Sequence, residues 1–487
     1  MDSVVIGVDS STQSTKAAVV DSSTGRVLAV GRAPHTVSGA AGARESDPEQ
    51  WWAALAEAVA AGLREAGAEP AAVTGLAVAG QQHGLVVLDG AGRPLRPALL
   101  WNDTRSAPQA AALTGELGAR GWLERTGSVP VASMTAAKWR WLRENEPRTA
   151  DAAAAVRLPH DFLTERLTGT AATDPGDASG TCWYNTATGA YDPVLLDLLG
   201  LAPGLLPALA PSGAARVGTL TAGAADALGL PAGVAVAAGT GDNMAAAVGL
   251  GLGARGLLDH PVLSLGTSGT VFAATRARPA TAALAGFAAA DGHGTYLPLG
   301  CTLNCTLAVD RVAALLGIDR EDAAPGGEAV LLPYLDGERT PDLPGASGLL
   351  TGLRHTTTPQ QLLGAAYEGA VFTLLRALEE LPGAAGAGAP LRLIGGGARG
   401  RTWVETVRRL SGRAVVLPRG TELVALGAAA LAAAAVTGDD PVDLATAWRT
   451  GEGETLPPVH QDHSATARIE AVLDRAAPAL LTTLGHR

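Results

Sequence analysis

One pattern occurs twice in this chain, and any fold must accommodate both copies: a strand of small and β-branched residues, a turn crowded with glycine and hydroxyl groups, then a second strand. The first copy is IGVDSSTQSTKAAVV, Ile6 to Val20, and the second is VLSLGTSGTVFAAT, Val262 to Thr275. Each reads as a β-hairpin that opens one half of the chain. Between them VAVAAGTGDNMAAAVGLGL, Val234 to Leu252, reads as a strand feeding a helix through Gly239, Thr240, Gly241 and Asp242. Val27–Val30 extends the first hairpin into a meander. Asp47 and Pro48 then start a helix with Trp51, Leu55 and Val59 at helical spacing, and VTGLAVAG, Val73 to Gly80, reads as a buried strand. This alternation predicts an α/β fold whose sheets are covered by helices. Two similar domains, residues 1–244 and 245–487, are the expected organisation.

Length and charge narrow the function. At 487 residues the chain exceeds one ordinary core of about 150 residues. Its net charge of -11 would repel nucleic acid and anionic membranes, so neither is an expected partner. The start, MDSVVIGVD, has an acid where a signal peptide needs basic residues, which predicts a cytoplasmic protein. The Ala-rich run from Leu423 to Gly438 is short for a bilayer and is read as a buried helix. Cys182, Cys301 and Cys305 form no disulfide framework and are expected to be core thiols.

The hairpin turns bear on chemistry, because clustered amides and hydroxyls on small residues form a nest for an anion. Asp9 stands where the first strand enters its turn. It reads either as a turn former or as a carboxylate for hydrated Mg²⁺ beside phosphate oxygens. Asp242 likewise reads as the N-cap of the Ala-rich helix that follows, or as a base that accepts a hydroxyl proton in phosphoryl transfer. GQQHG (Gly80 to Gly84) and LLWNDTR (Leu99 to Arg105) supply amide, imidazole, carboxylate and indole groups that would suit a polyhydroxylated ligand. LIGGGARGRTW, Leu393 to Trp403, is a strand, glycine turn and helix without the G-x-G-x-x-G spacing of dinucleotide sites, and the chain has no Walker A sequence.

Seven segments occur in an order that resembles the FGGY carbohydrate kinases: GQQHG, RPALLWNDTR, LPHDFLTERLTG, GTGDN, LSLGTSGT, LPYLDGERTP and LIGGGARG. The resemblance runs from Val4 to about Gly438, and within the family it is to the actinobacterial members that act on D-xylulose. It implies two actin-like (ribonuclease H-like) domains with the active site in the cleft between them, and ATP-dependent conversion of D-xylulose to D-xylulose 5-phosphate with Mg²⁺. On the positions that match, Asp242 is the implied catalytic base and Asp9 the acid that serves Mg·ATP, both being implied metal ligands. Gln82, His83, Trp101, Asn102, Asp103 and Asn243 are the implied sugar contacts. Ser11, Thr12, Thr267, Ser268, Gly396 and Gly397 are the implied nucleotide contacts, and a homodimer is the candidate assembly. Two positions depart from the family pattern: Ser11 and Ser14 stand in a turn where many relatives carry glycine, and Gln82 replaces a methionine found in some members. Kinases for ribulose, gluconate or glycerol are the alternatives within the family, and an actin-like ATPase switch is the alternative outside it.

Overall fold

Every residue of the strand Val4–Ser10 is buried, so both of its faces need cover. Val4, Ile6 and Val8 point into a core with Trp51, Leu55 and Val59 of the helix Pro48–Ala66. Each side chain so buried contributes roughly 1.5–3 kcal/mol. The helix begins where expected: the Asp47 carboxylate accepts from the Glu49 amide at 3.0 Å, and Pro48 fills the first helical position. The alternate face of the strand carries Gly7 and Asp9. That face is covered by the helix Leu423–Thr437, which has 11 of its 15 residues buried. The two backbones lie so close that a Cβ on Gly7 would land on the carbonyl of Ala425.

The computed structural model describes residues 3–279, 281–341, 343, 345–384, 386 and 388–476. In the first unit one mixed sheet runs Arg216–Thr219, Ala235–Ala237, Val73–Gly80, Val4–Ser10, Ser14–Asp21, Val27–Pro34. Val4–Ser10 is antiparallel to Ser14–Asp21 and parallel to Val73–Gly80, so the expected meander and buried strand are both present. Thr240–Gly241 pairs with the end of Val73–Gly80, which brings the GTGDN segment beside the start of GQQHG.

The second unit repeats the device. Strands Val262–Leu265 and Gly269–Phe272 form an antiparallel hairpin, and Leu391–Ile394 lies parallel to the first of them, followed by Val415–Pro418 and Gly453–Leu456. LIGGGARGRTW is a strand, a short 3-10 turn at Gly396–Arg399 and the helix Arg401–Ser411.

The division of the chain differs from the expected 1–244 and 245–487. The first unit comprises Met1–Leu258, Ala274–Leu297 and Glu422–Gly451, and the second Asp259–Ala273, Pro298–Thr421 and Glu452–Arg487. The reason is the Ala-rich helix. It is apolar on every side and finds cover between the first sheet and the helix Asp242–Gly249, where Gly427 sits against the Ala245 carbonyl, and against the helix Pro441–Ala447. Its burial agrees with the sequence reading. Among the described residues no single helix is long and apolar enough to cross a membrane. Cys182 and Cys305 are buried free thiols, and Cys301 is partly exposed.

Candidate active site

In the first unit the side chains of three loops converge. Asp242 is the first residue of its helix, and Gly241 occupies the N-cap position, so the carboxylate does not cap. Its Oδ1 instead accepts from the Asn243 amide at 2.8 Å and from Asn243 Nδ2 at 2.9 Å. Among the described residues no hydrogen bond reaches Oδ2. Asn243 Nδ2 also donates to Gln82 Oε1 at 2.8 Å, which ties the base candidate to the GQQHG loop. Gln82 Nε2 is buried without a partner among the described residues. Burial, reinforced by the charges of Asp9 and Asp177, pushes the Asp242 carboxyl up to about 7 against the two Asn243 bonds. A carboxylate with that proton affinity is matched to proton transfer near neutrality.

His83 follows in the left-handed region at φ 65°. Its Nδ1 lies 3.0 Å from the Gly180 carbonyl, and its ring packs obliquely on Phe287 with centroids 5.5 Å apart. Gly180 has no alternative here, since a Cβ would stand 2.5 Å from the imidazole.

Asp9 is buried at the end of its strand. It accepts from Ser11 Oγ at 2.5 Å and pairs with Lys16 Nζ at 3.4 Å. Burial raises its carboxyl above the usual range, with Lys16 and Ser11 opposing. Lys16 is its register partner on the hairpin and bridges onward to Glu422 at 2.9 Å. Burial works against the ammonium, yet Asp9 and Glu422 hold it above its ordinary range. Lys16 has no part in the site expected from the sequence. Its position across the hairpin from Asp9 was visible, but Glu422 stands 406 residues away.

Trp101 donates its indole N–H to Thr12 Oγ1 at 3.0 Å, linking the WND loop to the first hydroxyl turn. Asn102 keeps a buried Oδ1 that has no partner among the described residues. Asp103 is heavily engaged within the protein. It is buried at 1% exposure, and its oxygens accept from the Arg44 amide at 2.9 Å, the Arg105 amide at 3.0 Å and the Arg105 guanidinium at 2.6 Å. Burial alone would raise its carboxyl, but these donors hold it below the usual range. Its acceptor capacity is committed to bracing the loop, leaving little for a sugar.

In the second unit Thr267 is exposed and Ser268 partly so, at the hairpin turn. The turn is braced by Thr306, whose amide and hydroxyl donate to the Gly266 carbonyl at 3.0 and 2.8 Å. Gly395 takes a φ of 86°, and a Cβ on Gly397 would stand 2.7 Å from Leu265 Cβ and 3.0 Å from Thr306 Cγ2. The two glycine turns therefore pack side by side, with Gly396 exposed between open space and the strand end. Small residues at this spot leave backbone amides reachable by an anion.

Residues 4–249 match the N-terminal domain model of the FGGY family of carbohydrate kinases, and residues 262–436 match its C-terminal domain model. The chain is 58% identical over 481 residues to the xylulose kinase of Streptomyces rubiginosus, with 98% of this chain and 97% of that one covered. It is 59% identical to the xylulose kinase of Streptomyces coelicolor over the same length, with the same coverage. A crystal structure of a xyloylose kinase from Brucella ovis superposes with a TM-score of 0.88 at 31% identity, covering 97% of both chains.

Proposed function

We propose that this chain, which belongs to the FGGY family of carbohydrate kinases, transfers the γ-phosphoryl group of ATP to the C5 hydroxyl of D-xylulose. The observation that carries the reading is Asp242: a carboxylate held by Asn243 beside Gln82, with an unused oxygen and a proton affinity raised to about 7. The choice of D-xylulose is supported by the two Streptomyces relatives, whose coverage extends over nearly the whole chain.

In this reading the C5 oxygen attacks the γ-phosphorus as its proton passes to Asp242 Oδ2. The bond from the γ-phosphorus to the β,γ-bridging oxygen breaks, and ADP leaves with that electron pair. Gln82, His83 and Asn243 orient the sugar, and Asn102 and Trp101 line the same loop cluster. Ser11 and Thr12, with Thr267, Ser268, Gly396 and Gly397, supply hydroxyls and amides to the nucleotide. Asp9 and Asp242 fit a hard divalent cation such as Mg²⁺, because both are buried oxygen donors with raised proton affinity and the charge of Asp9 raises that of Asp242, a repulsion a cation would relieve. When bound, the cation would neutralise phosphate charge. A cytoplasmic location and a homodimer belong to the same reading.

The test is a panel of acceptors in a coupled assay of ADP formation. D-xylulose should give the highest kcat/KM among D-xylulose, D-ribulose, gluconate and glycerol, with negligible ADP when no acceptor is present. A higher value for another acceptor would reassign the substrate, and ADP formation independent of any acceptor would favour an ATPase switch.

A further inference from the structure

The segment LPHDFLTERLTG, Leu158 to Gly169, has no part in the chemistry above, yet its histidine lies beneath the two loops that perform it. His160 is fully buried. Its Nδ1 stands 2.7 Å from Asp177 Oδ2, and its Nε2 stands 3.2 Å from Asp161 Oδ1 and 3.8 Å from Asp174 Oδ1. Three carboxylates around one imidazole keep both ring nitrogens protonated. Burial works against that charge, but Asp161, Asp177 and Asp174 raise the ring to about 9.

His160 lies against the exits of two strands. A Cβ on Gly80, where GQQHG begins, would stand 2.9 Å from the His160 backbone nitrogen and 3.0 Å from its Cβ. A Cβ on Gly239, where the GTGDN segment begins, would stand 3.2 Å from His160 Cδ2. The carboxylates then reach the same loops. Asp174 Oδ2 accepts from the Thr240 hydroxyl at 2.7 Å and from the Gly176 amide at 3.0 Å. Asp177 Oδ1 lies beneath Gly241, where a Cβ would stand 3.1 Å from it and 2.7 Å from Gln82 Cγ.

We propose that His160 is a positioning residue for phosphoryl transfer: hydrogen-bonded to Asp177 and flanked by Asp161 and Asp174, it fixes the Gly80–His83 and Gly239–Asp242 loops so that Gln82 and Asp242 address the same sugar hydroxyls. The inference rests on the reading of Asp242 as base and Gln82 as sugar contact. A fully buried group of one imidazolium and three carboxylates is a poor way to stabilise a core, since desolvation offsets much of the attraction. Fixed geometry is what it supplies. Misplacing a reacting group by about 1 Å costs on the order of a hundredfold in rate.

The experiment compares wild type, His160→Gln, Thr240→Val and Thr240→Ser for kcat, KM for D-xylulose, KM for ATP, and folded fraction by circular dichroism at the assay temperature. Thr240→Val keeps shape but loses the hydroxyl to Asp174; Thr240→Ser restores it. Expected are falls in kcat per folded enzyme of about tenfold to a hundredfold for His160→Gln and about tenfold for Thr240→Val. KM for D-xylulose should rise for His160→Gln, KM for ATP should stay within about twofold for all, and Thr240→Ser should recover most of the rate. Losses that only track the unfolded fraction, or a Thr240→Ser no better than Thr240→Val, overturn the inference. Should His160→Gln fail to fold, the Thr240 pair decides. A wild type that forms no ADP with D-xylulose overturns the functional reading itself, and the inference with it.

Discussion

Asp242 holds a proton far more tightly than an exposed aspartate, and two consequences follow at the scale of that one side chain. As a base it must be deprotonated, so kcat should rise as pH crosses about 7 and level off above it. The same shift costs stability. A carboxyl raised from 3.8 to about 7 on folding favours the folded state only while protonated, so its contribution is present below pH 4 and lost as pH rises through about 7. Asp242→Asn should therefore melt at a higher temperature than wild type at pH 8, and the difference should vanish as pH falls toward 4. Equal Tm values at both pH values would mean that the carboxylate is not under strain. The residue was legible in GTGDN, but whether it caps the helix was not: Gly241 takes the N-cap position, and the Asp242 side chain turns back to Asn243. The partners of Asp103 were hidden for a related reason. WNDTR shows an acid two residues before an arginine, and only the fold shows that the Arg44 amide joins the arginine in consuming it.

Among the elements, the helix Leu423–Thr437 does most to place the first turn. Apolar on all sides, it packs its small residues against Gly7 of the first strand and against the helix that begins with Asp242. Glu422 precedes it and pairs with Lys16 and Arg32, next to Asp9. Gly427→Ala would press a methyl group into the Ala245 carbonyl, and overpacking of this kind costs about 1–3 kcal/mol. A lower urea midpoint should result, accompanied by a lower kcat because the contact lies on the helix that begins with Asp242; an unchanged midpoint would show that the helices can separate freely. Burial of this helix was readable from its composition. Its partners were not, since composition without an apolar stripe names no direction. By contrast the start and the inward face of the helix Pro48–Ala66 were legible, because Asp47, Pro48 and the spacing of Trp51, Leu55 and Val59 state them.

For the whole molecule, the order of segments along the chain differs from the order in which they pack. The repeated hairpin revealed two units, and local signals revealed most strands, but no local signal says that Ala274–Leu297 and Glu422–Gly451 return to the first unit. A division near residue 245 would therefore leave the first sheet uncovered where Gly7 and Gly75 meet the Ala-rich helix. A fragment of residues 1–258 should not melt cooperatively by itself, and a fragment that does would show the returning segments to be dispensable. The buried charges around His160 share this character: the TDPGD run that supplies Asp174 and Asp177 looks like a helix cap, and its other face serves the GTGDN loop.

The central claim is that Asp242 accepts the proton of a sugar hydroxyl during phosphoryl transfer, and kcat for Asp242→Asn with D-xylulose and ATP tests it most directly. Since Gly241 and not Asp242 caps the helix, the variant should remain folded. Positioned acid-base groups contribute about 10²- to 10⁴-fold, so kcat should fall by roughly that factor while D-xylulose affinity, followed by calorimetry, changes only a few-fold. A kcat within a few-fold of wild type in a folded variant that still binds the sugar would contradict the account and move the base elsewhere.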